Sequence, residues 1–328
     1  MSAPLLTVTD LCKHFPQGKG ARFGRKRALV RAVDGVSFTL QRGEALGLVG
    51  ESGSGKTTVA RTIVGLERAS SGSILFDGVE LTTLSPKAWR AIRPRIQLVF
   101  QDPYSSLDPR QTAGDIVAEP LVIHRVGKPR ERRLRSLALF EAVGLAPRQL
   151  NLYPHEFSSG QRQRIGIARA LALEPELLVC DEPVSALDVS IQVQILALLR
   201  ELRERFSLSY LFIAHDLAVV RALCPRVCVL YLGRVVECAP TPELFAHPRH
   251  PYTQALLSAI PIPDPEVEAQ RQRVVLRGEV PSPLAPPSGC AFHPRCPLVE
   301  QVGLSTCSEQ LPELRAVGES VVACHGAK

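Results

Sequence analysis

The sequence predicts an α/β fold: a parallel-sheet core, interrupted by a helical insertion and followed by a loop-rich extension. Three observations carry this reading. Short apolar runs rich in Val, Ile and Leu recur through the first hundred residues and again after residue 176. Apolar residues between about 102 and 157 fall instead at helical spacing. Thirteen of the 27 prolines lie between Pro240 and Pro297, which rules out continuous helix there.

The elements follow in order. LLTV, VSFTL, ALGLV, SILF and RIQLVF read as strands with short turns between them. Leu134, Leu137, Leu139 and Val143, set among charged residues, mark helix in the insertion. LLVC (177–180), YLFIA (210–214) and VCVLYL (227–232) read as buried strands, separated by helical stretches at 160–173 and 190–206. That alternation argues for a parallel sheet. After Ala239 the composition describes a separate appendage, and no internal repeat is present.

At 328 residues and 45% hydrophobic, the chain suffices for one large domain or two smaller ones. MSAPLLTVTDLCKHF lacks the features of a signal peptide, and no apolar run approaches the roughly 18 residues of a membrane span. An intracellular soluble chain is expected. The net charge of +7 concentrates in residues 18–31 and 125–135. Nucleic acid, an anionic membrane, an acidic partner and simple solvation all fit such runs. The second run has no interleaved aromatics, which weakens the nucleic-acid reading.

ALGLV runs into GESGSGKTT (50–58) and then a helix-like VARTIVGL, matching G-x-x-x-x-G-K-[ST] between strand and helix. Gly50, Ser52, Gly53, Ser54 and Gly55 would turn backbone N–H groups toward phosphates. Lys56 supplies a point charge, and the hydroxyls of Thr57 and Thr58 open the helix, with Thr57 suited to Mg²⁺. LLVCDEP delivers Asp181 to a strand end, where it can hold the Mg²⁺ water shell. Glu182 follows as a candidate general base toward attacking water. Gln101 and His215 end two further strands and can orient water or sense the γ-phosphate. These residues predict a P-loop NTPase core that binds a nucleotide's phosphates with Mg²⁺ and holds a candidate base for water attacking the γ-phosphate.

A second phosphate seat appears in EFSSGQRQRIG (156–166). Ser158 would cap a helix, and Gly160 leaves room for a bulky group. FSSGQRQRIGIARAL (157–171) resembles the signature sequence of ABC transporter ATP-binding subunits, and with the phosphate loop and the Asp-Glu strand end the resemblance spans nearly the whole chain. It implies a nucleotide-binding domain over 1–239, with an antiparallel β subdomain and a helical subdomain at about 102–160. It implies a head-to-tail dimer in which Ser158, Gly160 and Gln161 serve the partner's ATP. Asp188, in SALD (185–188), would lie in the loop crossing that interface, and Phe15 would stack on adenine. The family pattern has Gly where this chain has Ser159.

HPRHPYTQALLSAIP (247–261) and the closing cysteine-rich segment resemble ATPases of oligopeptide/dipeptide permeases, and the insertion between Phe15 and Val33 is similar to the second of their two ATPase subunits. The resemblance implies a sister ATPase as heterodimer partner. It also implies two membrane-spanning permease subunits gripped by the helical insertion including 104–110, and an extracytoplasmic peptide-binding protein acting indirectly. The place of work is then the cytoplasmic face of a bacterial inner membrane, where the chain is peripheral and needs no nucleic acid. A soluble ABC-type ATPase acting on nucleic acid is the alternative.

Of the nine cysteines, Cys12, Cys180, Cys224, Cys228 and Cys238 are scattered and read as small buried hydrophobes. Cys290, Cys296, Cys307 and Cys324 lie in the extension, with five, ten and sixteen residues between them. The tight pairs of zinc sites are absent, disulfides are not expected in a reducing compartment, and ligation of an iron–sulfur cluster is chemically open. The resemblance implies a [4Fe–4S] cluster on these four, with His293 and His325 as adjacent alternative ligands. The appendage being separate, loss of a cysteine is expected to leave nucleotide binding intact.

Overall fold

The computed structural model describes residues 3–17, 28–261, 264, 274–276 and 278–327, so most of the first basic run lies outside the described residues. The chain divides into two compact units. One comprises Met1–Thr39, Leu46–Thr82 and Ala214–Lys328, and the other Leu40–Ala45 and Thr83–Ile213.

The first unit begins with β1 (Leu6–Pro16) and β2 (Leu29–Leu40), then β3 (Ala45–Val49), α1 (Lys56–Ile63), β4 (Ser71–Phe76) and β5 (Val79–Glu80). The second holds α2 (Pro86–Ile92), β6 (Ile96–Val99), α3 (Pro103–Ser106), α4 (Ala113–Ile123), α5 (Pro129–Ala142), α6 (Ser159–Leu171), β7 (Leu177–Asp181), α7 (Val189–Phe206) and β8 (Ser209–Ala214). The chain then returns to the first with α8 (Leu217–Leu223), β9 (Arg226–Tyr231), β10 (Arg234–Pro240), α9 (Thr241–Ala246) and α10 (Pro251–Ser258). Two short helices, Val299–Val302 and Leu304–Glu309, and a hairpin of β11 (Arg315–Val317) and β12 (Ser320–Val322) close it.

In the first unit an antiparallel sheet runs β2-β1-β4-β5. Leu6 and Val8, opposite Phe76 and Ile74, face the core while Thr7 and Thr9 alternate away, the period of a half-buried strand. A second group of strands orders β11-β12-β10-β9-β3. Here β3 pairs in parallel with β9 from Leu46↔Arg226 to Val49↔Val229, while β10 and β12 add antiparallel edges. In the second unit β6, β7 and β8 are parallel, with Val99↔Cys180 and Asp181↔Ile213 in register. Every residue of β3, β7 and β8 is buried, the continuous apolar run that strands covered on both faces require.

Two expectations change. Cys228 and Cys238 are not independent core fillers: they are register partners on β9 and β10 and form a disulfide, with Cα atoms 4.1 Å apart. The residues after Ala239 are loop-rich, yet they are not set apart. They fall in the same compact unit as the phosphate loop, and their terminal hairpin joins the strands that flank β3. No helix among the described residues is long and apolar enough to cross a membrane.

Candidate functional site

The phosphate loop leaves β3 and enters α1 through a backbone only glycine tolerates well. Gly50, Gly53 and Gly55 have φ of 154°, 79° and 103°. A Cβ on Gly50 would sit 2.2 Å from the Leu230 carbonyl, and one on Gly55 would sit 2.2 Å from that of Ala32. Gly55 is the N-cap of α1, so the helix's first N–H groups and the positive end of its dipole open onto the loop. Lys56 is only 4% exposed, and its Nζ donates to the carbonyls of Gly50 (2.8 Å) and Glu51 (2.9 Å) and toward Ser54 Oγ (3.4 Å). Ser52 is exposed, while Thr57 and Thr58 are half-buried in the first turn.

In the second unit, β7 delivers Asp181, 6% exposed, at its last position. Glu182 follows with φ of 46°, a left-handed backbone costing a non-glycine residue about 1 kcal/mol. Its N–H donates to the Ile213 carbonyl, and its own carbonyl accepts from Ser185 Oγ. Gln101 Nε2 donates to Glu182 Oε2 at 2.9 Å. Two residues chosen separately from strand ends are thus in direct contact. The parallel register of β6 and β7 brings both strand ends to the same edge.

The second seat is a well-formed helix start. Ser158 is the N-cap of α6: its Oγ accepts from Gln161 N–H, and Gln161 Oε1 accepts from Ser158 N–H. Ser159 is an ordinary helical residue, so it meets no positive-φ demand. Gly160 has a reason beyond room for a ligand. A Cβ there would lie 2.6 Å from Ile191 Cγ2 on α7, so the Ile191 side chain would have to shift to admit one.

Phe15 lies half-buried on β1 with the Lys13 ammonium 4.6 Å from its ring centroid. His215 is exposed directly after β8, and Asp188 is the exposed N-cap of α7. The donor atoms of Cys12, His14 and Asp34 lie within 4.8 Å of one another. Burial alone would raise the Asp34 carboxyl, but Arg234 at 2.6 Å, His14 and Arg31 hold it below the usual range. That cluster is an ion-pair node rather than a cation site.

Of the four late cysteines, Cys307 and Cys324 are buried and Cys290 and Cys296 partly so. Burial pushes the Cys290 thiol up to about 11, and the thiols of Cys324, Cys296 and Cys307 all add to that shift. Cys296 and Cys307 are raised for the same two reasons. Cys290 N–H donates to the Cys307 carbonyl at 2.8 Å, drawing distant parts of the segment together. One ring nitrogen of each histidine contacts a backbone carbonyl at 2.9 Å: His293 Nδ1 that of Cys290, and His325 Nε2 that of Gln310. The thiols interact electrostatically, but no three of them lie within 4.8 Å of one another; among the described residues Cys12, His14 and Asp34 form the one group that close.

Sequence reasoning missed three residues at the loop. Glu51 carries a carboxylate that Arg295 grips, and its N–H donates to Tyr252 Oη at 2.9 Å. The variable second position of G-x-x-x-x-G-K gives no signal for this. HPY (250–252), singled out only by resemblance, was the available clue.

A phosphate loop on a strand–helix junction, a capped second seat and an acidic strand end oriented by glutamine define an ATP-binding cassette. The ABC transporter family model matches residues 33–185, and that of the oligopeptide/dipeptide transporter C-terminal region matches 236–302. The chain is 51% identical to the oligopeptide transport ATP-binding protein AppF of Bacillus subtilis, covering 98% of this chain and 97% of that one. It is 50% identical to the oligopeptide transport ATP-binding protein OppF of Escherichia coli, covering 98% and 95%. A dimeric ATP-binding cassette solved in a post-hydrolysis state with ADP and phosphate superposes with a TM-score of 0.64 at 30% identity, over 72% of this chain and 98% of that one. This chain belongs to the ATP-binding proteins of ABC transporters, in their oligopeptide/dipeptide group, and is an ATPase of that type.

Proposed function

We propose that this ATPase powers import of dipeptides and oligopeptides, pairing head to tail with a sister ATPase beneath two membrane-spanning permease subunits that an extracytoplasmic peptide-binding protein supplies. The observation that carries this reading is the joining of a complete phosphate loop to an HPY-bearing, cysteine-rich extension in one chain, over a length shared with oligopeptide transport relatives. The domain assignment keeps 1–239 as the nucleotide-binding part, with its helical subdomain, and 240–328 as the extension. The place of work is the cytoplasmic face of a bacterial inner membrane.

The residues divide the labour. The loop from Gly50 to Thr58 holds the phosphates, with Lys56 turning from the loop carbonyls to the β- and γ-phosphates when nucleotide enters. Phe15 stacks on adenine. Glu182 takes a proton from attacking water, Gln101 holds its carboxylate in place, and His215 faces the γ-phosphate. Ser158, Gly160, Gln161 and Asp188 serve the nucleotide of the partner. Mg²⁺, which suits the hard oxygens of Thr57, Asp181 and Gln101, would neutralise charge on the phosphates. Cys290, Cys296, Cys307 and Cys324 would hold a [4Fe–4S] cluster, which would tie the extension together.

Co-expression with a pair of oligopeptide permease subunits from the same genome tests the assignment. A tagged chain that co-purifies with them in detergent supports it. Retention on a DNA column with steep salt dependence, and no permease, favours the nucleic-acid alternative.

A further inference from the structure

The phosphate loop contains an acid. Glu51 occupies its second position, where an unpaired carboxylate would repel the phosphates that the loop collects. The structure gives every polar group of this residue a partner. Its carboxylate takes Arg295 Nη1 at 3.0 Å and Nη2 at 3.5 Å, its N–H donates to Tyr252 Oη at 2.9 Å, and its carbonyl accepts from Lys56 Nζ at 2.9 Å. The Arg295 side chain is 9% exposed and that of Glu51 30%, so solvent screens the pair only partly.

Two of these three partners, Arg295 and Tyr252, come from the extension and are themselves fixed. The fully buried Tyr252 packs its ring 4.7 Å from Tyr231 and 5.5 Å from Phe292. Arg295 Nη1 reaches Tyr231 Oη at 3.5 Å, with its guanidinium over the same ring. Arg295 ends a short turn, His293–Arg295, immediately before Cys296.

We infer that Arg295, through Glu51, is a positioning residue for the phosphate loop, shielding the loop's own carboxylate from the bound phosphates and fixing the carbonyls on which Lys56 rests. Tyr252 holds the same residue by its backbone. The cysteine-bearing segment is therefore part of the nucleotide site's support. This rests on the reading of the loop as a nucleotide site, and the controls separate the two.

The test is MgATP titration calorimetry on the full chain, with thermal melting in the absence of nucleotide. Shielding predicts that Arg295→Gln weakens MgATP at least tenfold and Arg295→Lys less than about fivefold. Glu51→Gln, which removes the charge to be shielded, should weaken MgATP less than Arg295→Gln does. Its distinctive outcome is suppression: Glu51→Gln in the Arg295→Gln background restores affinity to within about threefold of the parent. A purely structural arginine predicts a double variant at least as weak as Arg295→Gln, and that result, or parental affinity in Arg295→Gln itself, overturns the inference. Lys56→Ala is the control. If it binds MgATP as the parent does, the nucleotide-site reading fails and this inference with it. If only Lys56→Ala loses binding, the shielding inference alone is wrong. Should Arg295→Gln fail to fold, the lysine variant and the double variant still decide.

Discussion

Gln101 Nε2 and Glu182 Oε2 lie 2.9 Å apart, joining the residues that follow two parallel strands. A glutamine that donates to a carboxylate fixes its direction without neutralising it. Glu182→Gln is therefore expected to keep MgATP binding while lowering hydrolysis at that site by roughly tenfold or more. Gln101→Ala should cost less, and less again in the Glu182→Gln background, where the contact to the carboxylate is already changed and the Mg²⁺ role of Gln101 remains. Steady-state ATPase of the assembled complex, read beside MgATP affinity, checks both; full activity of Glu182→Gln at both sites would remove the general-base assignment.

Gly160 and Ile191 make the signature helix a packing problem before it is a binding problem. Gly160→Ala should destabilise the chain by about 1–3 kcal/mol through overpacking, seen as a lower denaturation midpoint. Ile191→Ala in that background should recover part of the loss. Ser159→Gly, at a helical position with ordinary φ, should change ATPase of the assembled complex less than about tenfold, under about 1.4 kcal/mol in barrier. A large gain would show that Ser159 impairs the seat.

The buried His250 predicts an acid-sensitive fold. Burial lowers its pKa to about 3, so the folded chain binds this proton less readily than the unfolded chain does. Its contribution is present above the ordinary histidine pKa of 6.5 and is lost as pH falls toward 3, by up to about 1.4 kcal/mol per pH unit. His250 Nδ1 accepts from Tyr252 N–H at the start of α10, a role asparagine can share. His250→Asn should thus be less stable at pH 8, having lost the ring beside Phe292, yet show a shallower fall between pH 7 and 5. Urea denaturation across that range measures the difference; parallel slopes would contradict it.

The cysteine segment should carry metal and communicate it. Anaerobically purified chain is expected to be brown with about four irons. Cys307→Ser should lose the colour and also weaken MgATP several-fold, because the segment that supports Glu51 loosens. That reverses the expectation of an independent appendage. A colourless protein with one stoichiometric zinc would count against the cluster, and unchanged MgATP affinity against the linkage.

Much of this was legible in the sequence because chain-local patterns carry it. Apolar runs marked β3, β7, β8 and β9, and the phosphate loop, the Asp181–Glu182 strand end and the capping box at Ser158 each occupy consecutive residues. What escaped depends on register and on distant pairing. β10 does not stand out as a strand, so the Cys228–Cys238 partnership could not be seen. Glu51 and Arg295 are 244 positions apart, and nothing at either position announces the other. Gly160 was read for its ligand, whereas Ile191 shows that its own chain needs the space.

The most direct measurement is ATP-driven uptake of a labelled oligopeptide into proteoliposomes holding the two permease subunits, the sister ATPase, the peptide-binding protein and this chain. The account predicts uptake that requires MgATP and this chain, and that is abolished by Lys56→Ala and strongly reduced by Glu182→Gln. Undiminished uptake with this chain omitted, or with Lys56→Ala in its place, would contradict it.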